Sequence, residues 1–457
     1  TVTDVDGETF TADIVSGGKL QSRKGVNVPG VDLDINLITE GDEQELKLAA
    51  DKQADFVAAS FVRDGEDVYA IADKLEEFGA DIPVVAKIER AGAVENLDEI
   101  VTAADGVMVA RGDLGVECPL EDVPVIQKRI IKKCVNAGVP VITATEMLDS
   151  MITNRRPTRA EASDVANAVL DGTDAVMLSG ETAVGDHPAR VVETMADIVS
   201  RVEATDEYAE TVEQRVPTAT DGSRTEALAR SARYLSRDIG ASAIVAASES
   251  GYTARKAAKF RPLVPIVATT PNDRVRRQLA LVWGVTPEYH QYEDDIESLL
   301  EGSVQSAMAT GAAESGDTVV AISGLFSEVE GGNTTNMLKV HVAAEQVASG
   351  TAITGGRIAG PLVRLSDGEL DDVAEGAILS VGDDFDGEFT GGLDKIGGIV
   401  DSSDGLTGYP AVVARELGIP MVSDVSLPEE IGDGDRVSID AERGIVFAGD
   451  VIQEAGR

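Results

Sequence analysis

Short apolar runs alternate with amphipathic stretches along residues 22–205, and no other feature of the sequence restricts the possible folds as strongly. Runs of this length and spacing are typical of βα units, in which helices cover a sheet of parallel strands. The predicted strands are Gly25–Val28, Asp55–Phe61, Pro83–Glu89, Gly106–Ala110, Pro140–Thr145 and Ala175–Leu178. The series therefore resembles most of a (β/α)₈ TIM barrel.

Two more units are predicted after the barrel. A second βα series, with buried strands at 243–248, 265–270 and 317–324, indicates an α/β domain. Residues 208–221 are rich in Glu, Thr and Asp and are predicted to be the linker before it. Turn signals become frequent near residue 350, and AEQVASGTAIT (344–354) is expected to join a third unit, a β/α one. The predicted units are 1–21, the barrel at 22–207, the α/β domain at 222–346 and the third unit at 350–457.

The net charge of −42 arises from 81 acidic residues against 39 Lys and Arg, spread along the chain. Such a spread indicates a charged surface on a folded protein rather than a disordered acidic arm. No concentrated basic patch is visible, which argues against nucleic acid, and no apolar run approaches the roughly 20 residues of a membrane span. We therefore expect a protein that binds neither nucleic acid nor membrane. We also expect it to be cytoplasmic, because the start of the sequence does not resemble a signal peptide.

Cysteine and histidine are both scarce. A disulfide framework normally uses more than the two cysteines present, Cys118 and Cys134, so free thiols are expected. The three histidines, His187, His290 and His341, are far apart in sequence, which argues against a histidine-rich metal site.

The large negative charge predicts that stability depends on salt. Like charges repel one another at low ionic strength, and salt shortens the Debye length and weakens this repulsion. We therefore expect the melting temperature to rise with KCl concentration, as suits a protein of a salt-rich cytoplasm. Melting curves over a KCl series test this expectation, and a flat or falling melting temperature would contradict it.

Two short motifs place charged side chains at the ends of predicted strands. Lys87 and Glu89 of KIE alternate along one strand and share a face, and Asp113 of ARGDLG follows the next strand among glycines. Glu89 and Asp113 are oxygen ligands suited to Mg²⁺ or Mn²⁺, and a neighbouring Lys87 could stabilise an enolate or a transferring phosphoryl group. Taken alone, each motif is also explained structurally, by an internal ion pair at Lys87 and by a turn or helix cap at Asp113.

A third region, TATEMLDSM (143–151), is followed by RRPTRAEASDVANAV (155–169). Thr145 at a strand end could donate a hydrogen bond to a substrate carboxylate, or its hydroxyl could be satisfied within the strand. The charged residues Arg159, Glu161 and Asp164 are typical of a network at the start of a helix.

The ordered set of motifs resembles the pyruvate kinase family at that family's spacing. The set comprises KGVNVPG (24–30), AASF (58–61), KIE (87–89), MVARGDLGVE (108–117), TATEML (143–148) and the run 157–188. This resemblance covers the barrel and, more loosely, the α/β domain. It implies phosphoryl transfer from phosphoenolpyruvate to ADP in glycolysis, giving pyruvate and ATP, by a homotetramer that uses Mg²⁺ or Mn²⁺ together with K⁺.

The resemblance also implies a role for each matched residue. The implied roles are Lys87 for the phosphoryl group and the enolate, Glu89 and Asp113 for Mg²⁺, the backbone of Gly112 and Asp113 with Thr145 for the substrate carboxylate, Arg111 as support and Lys24 for nucleotide phosphate. A carboxylate at the start of a helix is also favoured by the helix dipole.

The family pattern normally begins before the matched region, with two further βα units and a β domain inserted in the barrel. Residues 1–21 resemble only the tail of that β domain, so the K⁺ ligands, a phosphate-binding Arg and much of the nucleotide site have no counterpart here. Six strands would also leave two open edges in an eight-stranded barrel. The 457-residue chain by itself is therefore expected to be a fragment that lacks part of the active site and is inactive alone.

Two regions outside the barrel resemble parts of known domains. The SESGYT loop, with Ser248, Ser250, Gly251 and Thr253, has the position of a loop that binds phosphorylated effectors in some members, although such turns are equally often only turns. GLTGYPAVVARELGIPMV (405–422) resembles the swivelling phosphohistidine domain of phosphoenolpyruvate-utilising enzymes. Tyr409 stands where catalytic versions have a phosphoryl-accepting His, so a structural or interaction module is expected.

Two other functions are compatible with parts of the sequence. A Mg²⁺-dependent aldolase or lyase on a pyruvate-binding barrel would use the same carboxylates, but it needs neither the α/β domain nor KGVNVPG. An inactive regulatory scaffold would explain the missing elements, whereas the presence of Lys87, Glu89, Asp113 and Thr145 argues against it.

Overall fold

The computed structural model describes residues 2–7, 9–15, 17, 37–292, 296–324, 335–365, 367–382, 385, 387–403, 406–428 and 430–451. Lys24 and the predicted strand Gly25–Val28 lie outside these residues. An antiparallel hairpin of β1 (Val2–Asp6) and β2 (Thr9–Ala12) comes first. Within the described ranges, no helix has both the length and the apolar character needed to cross a lipid bilayer.

A parallel sheet with its strands in chain order forms the first large unit. Its strands are β3 (Val57–Ala59), β4 (Val84–Ile88), β5 (Gly106–Ala110), β6 (Val141–Ala144) and β7 (Ala175–Val176). The helices of this unit are α1 (Glu40–Asp51), α2 (Gly65–Glu77), α3 (Ala91–Glu95), α4 (Leu97–Ala103), α5 (Arg111–Glu117), α6 (Val123–Ala137), α7 (Arg159–Asp171), α8 (Gly180–Ala183), α9 (Pro188–Glu203) and α10 (Asp206–Gln214). The predicted strand Gly106–Ala110 is confirmed at both ends, and the other four described ones are confirmed but shorter.

The central strands of this sheet are apolar because helices cover one face and the barrel interior the other. All five residues of β5 are buried, and so are four of the five in β4, where Lys87 is the exception. Strands buried on both faces read as nearly continuous apolar runs, and Lys87, next to the end of β4, is the charged residue within these two strands. Glu89 and Arg111 follow the ends of β4 and β5 directly.

The predicted linker at 208–221 is partly wrong, because α10 occupies its first half. Thr205 caps this helix by accepting a hydrogen bond from the backbone N–H of Tyr208. Tyr208 is buried, with 6% of its surface exposed, so the segment packs against the barrel unit although its composition is acidic. Packing of one aromatic side chain thus outweighs the signal from composition.

The α/β domain has a five-stranded sheet in the order β10-β9-β8-β11-β12, in which β12 is antiparallel to β11. Its strands are β8 (Ala243–Ala247), β9 (Ile266–Thr270), β10 (Val285–Tyr289), β11 (Thr318–Ser323) and β12 (Met337–Val342). Its helices are α11 (Arg224–Asp238), α12 (Tyr252–Lys259), α13 (Asp273–Leu279) and α14 (Ile296–Ala309). The three strands predicted here are confirmed as β8, β9 and β11, and the sequence reading missed β10 and β12.

The third unit contains an eight-stranded sheet and one α-helix, α15 (Tyr409–Leu417), among its described residues. Its strands are β13 (Glu345–Ser349), β14 (Thr351–Thr354), β15 (Arg357–Leu365), β16 (Ala377–Val381), β17 (Ile396–Asp401), β18 (Met421–Ser423), β19 (Arg436–Asp440) and β20 (Ile445–Ala448). AEQVASGTAIT is therefore not a joining segment. It forms β13 and β14, which pair with β20 and β18. These partners come more than 65 residues later in the chain and so leave no local signal.

A buried ion pair connects the α/β domain to the base of the barrel unit. Arg261 Nη2 lies 3.1 Å from Asp174 Oδ1, each side chain is 8% exposed, and Arg261 also donates to the carbonyl of Gly172 at 2.8 Å. The other Asp174 oxygen accepts the backbone N–H of Val141, the first residue of β6, at 2.9 Å. Asp174 thus links Arg261 of the α/β domain to the strand whose other end precedes Thr145.

Glu226 in the first turn of α11 predicts a pH dependence of stability. Burial by itself raises the pKa of Glu226, but hydrogen bonds from Lys259, the Thr220 backbone and Lys256 outweigh burial and lower the pKa from 4.5 to about 2. A carboxyl whose pKa is lowered in the folded state stabilises the protein above its unfolded pKa, and this stabilisation is lost as pH falls toward the folded pKa. The shift corresponds to about 3 kcal/mol of unfolding free energy.

We expect wild type to lose this stabilisation between about pH 4.5 and pH 2, whereas Glu226→Gln lacks it throughout. Denaturant titrations of both proteins at neutral and acidic pH measure the difference in unfolding free energy. The difference should be large at neutral pH and should narrow as the pH is lowered. A constant difference across this range would contradict the assignment.

Candidate active site

The charged and hydroxyl residues predicted for the site lie at the carboxyl ends of three adjacent strands. Lys87 and Glu89 end β4, Arg111 to Asp113 follow β5 directly, and Thr145 follows β6. The parallel pairing of β4 with β5 and of β5 with β6 keeps these three ends at one edge of the sheet. In barrels of this type, that edge carries the catalytic groups.

Lys87 and Glu89 point the same way, as the alternation along the strand predicts. Lys87 Nζ lies 2.5 Å from Glu89 Oε1 and donates to Ser60 Oγ at 2.9 Å. Glu89 is 4% exposed, whereas the Lys87 side chain is 25% exposed, so the ammonium group lies nearer the opening. The internal ion pair considered from sequence is therefore present, and it holds the cation at the barrel edge.

The second oxygen of Glu89 is bound by the chain that follows β3. The backbone N–H of Phe61 donates to Glu89 Oε2 at 2.9 Å, and Phe61 has a left-handed backbone with φ of +58°. This conformation is rare for a bulky residue and persists only where its surroundings enforce it. The AASF motif thus fixes Glu89 through Phe61 and Lys87 through Ser60, two roles that the sequence reading did not assign.

Arg111 holds the segment after β6 in place. Its guanidinium donates to the carbonyls of Ala144 at 3.1 Å and Thr145 at 2.8 Å, and it pairs with Asp164 at 2.7 Å. Thr145 and Glu146 both have positive φ, +72° and +53°. A left-handed β-branched residue costs about 1–3 kcal/mol, so the bonds from Arg111 offset strain at the residue whose hydroxyl the site needs.

The Thr145 hydroxyl lies beside the first turn of α5. Its Oγ1 accepts the backbone N–H of Gly112 at 2.8 Å and donates to the carbonyl of Ala144 at 2.8 Å. A Cβ added to Gly112 would lie 3.5 Å from Thr145 Oγ1, an ordinary contact distance, so glycine here leaves the helix start open without being required by space. The Gly112 amide and the Thr145 hydroxyl, predicted to act together on a carboxylate, are thus adjacent and bonded to each other.

Asp113 is exposed in the first turn of α5. In the described part of the chain its carboxylate has no hydrogen-bond or ion-pair partner, and no group of three or more His, Cys, Asp and Glu side chains is arranged as a metal site. The protein therefore offers two carboxylates, Glu89 and Asp113, from neighbouring strand ends. That donor set fits Mg²⁺, which usually takes one or two carboxylates and completes its shell with water and substrate oxygens.

Two glutamates, half-buried Glu161 and buried Glu181, support the segment 145–151, and the sequence reading did not assign them to it. Glu161 accepts the backbone N–H and the hydroxyl of Ser150 at 2.7 and 2.6 Å while it completes a capping box with Thr158. Glu181, 2% exposed, accepts the backbone N–H of Leu148 at 3.1 Å. The capping-box spacing from Thr158 to Glu161 was visible in sequence, but the contacts with Ser150 and Leu148 depend on the fold.

The predicted effector loop lies between β8 and α12. Thr253 donates its backbone N–H to Ser248 Oγ at 3.2 Å, and its hydroxyl lies 2.8 Å from Thr335 Oγ1. Gly251 has a φ of +74°, and the carbonyl of Ser250 accepts a bond from Arg255 at 3.1 Å. Ser248, Ser250 and Gly251 thus precede α12 and Thr253 lies in its first turn, and the hydroxyls of Ser248 and Thr253 bond within the domain. The resemblance also places residues 331–335 in a later loop of the same region, and of these 331–334 lie outside the described residues.

Tyr409 is the first residue of α15 in the third unit. Its hydroxyl accepts the backbone N–H of Phe389 at 3.3 Å, and its ring meets that of Phe389 edge-on with centroids 5.4 Å apart. A tyrosine side chain has no nucleophilic nitrogen comparable to that of histidine. These contacts agree with a structural role for this residue.

Three protein-family models match successive parts of the chain. The pyruvate kinase barrel domain matches residues 1–192, the pyruvate kinase alpha/beta domain matches 226–341, and the mobile domain of PEP-utilising enzymes matches 373–444. The matches follow the order of the three units described above.

Pyruvate kinases of several bacteria are similar over nearly the whole chain. The enzyme of Bacillus licheniformis is 42% identical over 454 residues, which cover 98% of this chain and 77% of the relative. Those of Staphylococcus epidermidis and Staphylococcus aureus are each 41% identical over 441 residues, covering 96% of this chain and 74% of the relative.

Proposed function

This chain belongs to the pyruvate kinase family, and we propose that the carboxyl edge of its barrel transfers the phosphoryl group of phosphoenolpyruvate to ADP, giving pyruvate and ATP. The reaction is a step of glycolysis. The observation that carries the assignment of residues is the convergence of Lys87, Asp113 and Thr145 from three neighbouring strand ends. Each of these supplies a different function that in-line phosphoryl transfer needs.

Lys87 is the cation for the transferring group in this proposal. Its ammonium group is held by Glu89 and Ser60 at fixed distances, 2.5 and 2.9 Å, and is a quarter exposed toward the barrel edge. A fixed positive charge there stabilises the charge on the phosphoryl oxygens during transfer and then on the enolate oxygen of pyruvate. The enolate is afterwards protonated at carbon to give pyruvate.

Thr145 and the start of α5 orient the other end of the substrate. The backbone N–H of Gly112 donates to the Thr145 hydroxyl at 2.8 Å. Both groups can instead donate a hydrogen bond to a carboxylate that binds beside them. Arg111 keeps Thr145 in place through the backbone carbonyls, so it positions this group without needing to touch the substrate.

Enzymes of this family generally depend on Mg²⁺ and K⁺. We propose Glu89 and Asp113 as the Mg²⁺ ligands. When bound, the ion supplies positive charge that offsets the charge of the phosphoryl oxygens. No K⁺ ligand is assigned among the described residues, and the proposed nucleotide contact of Lys24 lies outside them.

Replacing Asp113 by Asn tests the metal ligand. We expect kcat/KM in the intact enzyme to fall about 100-fold and the Mg²⁺ concentration for half-maximal activity to rise, because a charged ligand becomes neutral. Binding of Mn²⁺, followed by electron paramagnetic resonance, should weaken in parallel and provides a readout independent of turnover. Asp122→Asn, at an exposed acid outside the site, is the control. Equal Mn²⁺ affinity in both variants would exclude Asp113 as a ligand.

Three further assignments are proposals that rest on the family. The loop with Ser248, Ser250, Gly251 and Thr253 binds a phosphorylated effector, the third unit is a structural or interaction module, and the enzyme is a cytoplasmic homotetramer. Soaking with sugar phosphates or AMP tests the first, and the absence of any change in substrate affinity would refute it. Phosphorylation of the third unit by phosphoenolpyruvate would refute the second. A mass measured by sedimentation that differs from that of four protomers would refute the proposed homotetramer.

A further inference from the structure

A cleft of about 1700 Å³ lies between the α/β domain and the third unit. One wall is formed by α14, β12 and the residue that follows β10, and the opposite wall by β15, β19, β20 and their connections. The two units meet at its rim, where Arg443 pairs with Glu301 at 2.6 Å and Ser315 donates to the carbonyl of Ala448 at 2.7 Å. A ligand in this cleft would touch both units at once.

The charges that line the cleft reverse the balance of the chain. Among the described lining residues, Lys and Arg outnumber Asp and Glu by four to three, whereas in the whole sequence 81 acids face 39 bases. Two of the three histidines, His290 and His341, also line it. The charged lining residues are Lys339, Arg357, Arg436 and Arg443 against Glu301, Asp440 and Asp450. An anion therefore meets less repulsion here than over the surface at large.

Lys339 is the cation that the cleft leaves without a counter-charge. Arg357 and Arg436 are paired with Asp440 and Asp450, whereas the ammonium group of Lys339 has no ion pair or hydrogen bond with any residue that the structure describes. Lys339 is exposed on β12, an edge strand of its sheet. An unneutralised ammonium group is thus available in the wall of the cleft.

The strand register directs this lysine and His341 to the same side. Lys339 pairs with Ala321 and His341 with Val319, and in a sheet such partners share a face. Val319 packs against Val304 and Ala307 of α14, so this face of the sheet is the one that α14 covers. Both basic side chains therefore lie on the face that borders the cleft.

The absence of a side chain at Gly302 leaves space for the His290 ring in the same wall. A Cβ added at Gly302 of α14 would lie 2.2 Å from two atoms of the His290 ring, so the imidazole lies directly against the helix backbone. A side chain at position 302 would push the ring away from this place. The α/β wall therefore presents two imidazoles to the cleft, together with the Lys339 ammonium group, which is unpaired among the described residues.

We propose that this cleft binds a compact dianion, a phosphate monoester or a small dicarboxylate, between Lys339 and His341 on one wall and Arg436 and Arg357 on the other. Guanidinium groups bind both kinds of anion through paired hydrogen bonds, and the two arginines can share such bonds with their present acid partners. The bound anion ties the third unit to the α/β domain. This gives the third unit a role in ligand binding that does not require Tyr409 to accept a phosphoryl group.

Inorganic phosphate and succinate, each titrated into the intact enzyme at constant KCl concentration, are the probes. Calorimetry measures affinity, and hydrogen exchange reports which amides become protected. We expect slower exchange in β12 and β19, and affinity lowered about tenfold or more in Lys339→Met. Lys132→Met removes an exposed cation of α6 that does not line this cleft, and it should leave the affinity unchanged. Basal turnover should be the same in both variants, because neither residue belongs to the proposed active site.

Phosphate binding without succinate binding would assign the site to phosphate monoesters, and binding of both would assign it to dianions in general; either result supports the proposal. Protection confined to the barrel edge or to residues 248–253 would overturn it, since the anion would then occupy another site. Equal loss of affinity in the Lys132 and Lys339 variants would also overturn it by showing general charge screening. These outcomes are independent of the assay for phosphoryl transfer.

Discussion

Replacing Lys87 by Met should lower kcat of the intact enzyme about 10³-fold or more while the protein stays folded. The proposed role of this side chain is to supply positive charge where the phosphoryl oxygens and the enolate develop negative charge. Methionine keeps the length of the side chain and removes the charge and the hydrogen bonds. Steady-state kinetics with phosphoenolpyruvate and ADP measure the effect, and it should appear in kcat more than in KM, since the charge acts mainly in the transition state.

The ion pair with Glu89 complicates this variant and suggests its control. Glu89 is 4% exposed, so losing Lys87 leaves a buried carboxylate without its counter-charge and lowers stability. The double variant Lys87→Met with Glu89→Gln removes both charges and should regain stability without regaining activity. Ser60→Ala, which removes only the hydroxyl bonded to Lys87, should retain most activity. Near-normal kcat in folded Lys87→Met would end the assignment of this lysine to the chemistry.

Arg261→Met should produce the largest loss of stability among the substitutions considered. Burial raises the pKa of Asp174, although Arg261 and the backbone N–H groups of Val141 and Trp283 act to lower it. Without the guanidinium, the buried carboxylate must stay charged alone or take up a proton. Breaking a buried pair in this way typically costs about 3–5 kcal/mol, well above the effect of an exposed pair.

Urea titrations followed by circular dichroism measure this loss, and Trp283 fluorescence, close to the ion pair, reports the junction itself. Asp174→Asn combined with Arg261→Met should recover part of the stability, because no buried charge is then left alone. Arg190→Met removes one partner of an exposed pair with Glu193 and should change stability far less than Arg261→Met does. A similar small effect at Arg261 would show that the junction is not held by this pair.

The barrel could be predicted from sequence because its strands are continuous apolar runs that end in charge. The strands β4, β5 and β6 lie within one or two residues of their predicted limits, and the side chains of Lys87, Glu89 and Asp113 are at the predicted strand ends. Both signals are local. Period-two alternation put Lys87 and Glu89 on one face before any contact was known.

The parts that could not be predicted depend on contacts between distant segments. Nothing near Glu181 in sequence indicates that it binds the backbone of Leu148, and nothing near Glu345 indicates pairing with Ala448. Left-handed backbone at Phe61 and Thr145 contradicts the preferences of those residue types, and it is stabilised by Glu89 and Arg111 from other strand ends. Such exceptions to local preference are typical of functional sites.

Strand β6 is bound at both of its ends by charged groups from outside it. At its first residue, Val141 donates to Asp174, and at its last, Ala144 accepts from Arg111. The strand is four residues long, so these two anchors are about 13 Å apart along a backbone that cannot stretch. If the α/β domain moves and Arg261 pulls Asp174 with it, β6 must either shift as a whole or lose one of these two bonds. A shift of the whole strand would move the hydroxyl of Thr145 by almost the same distance.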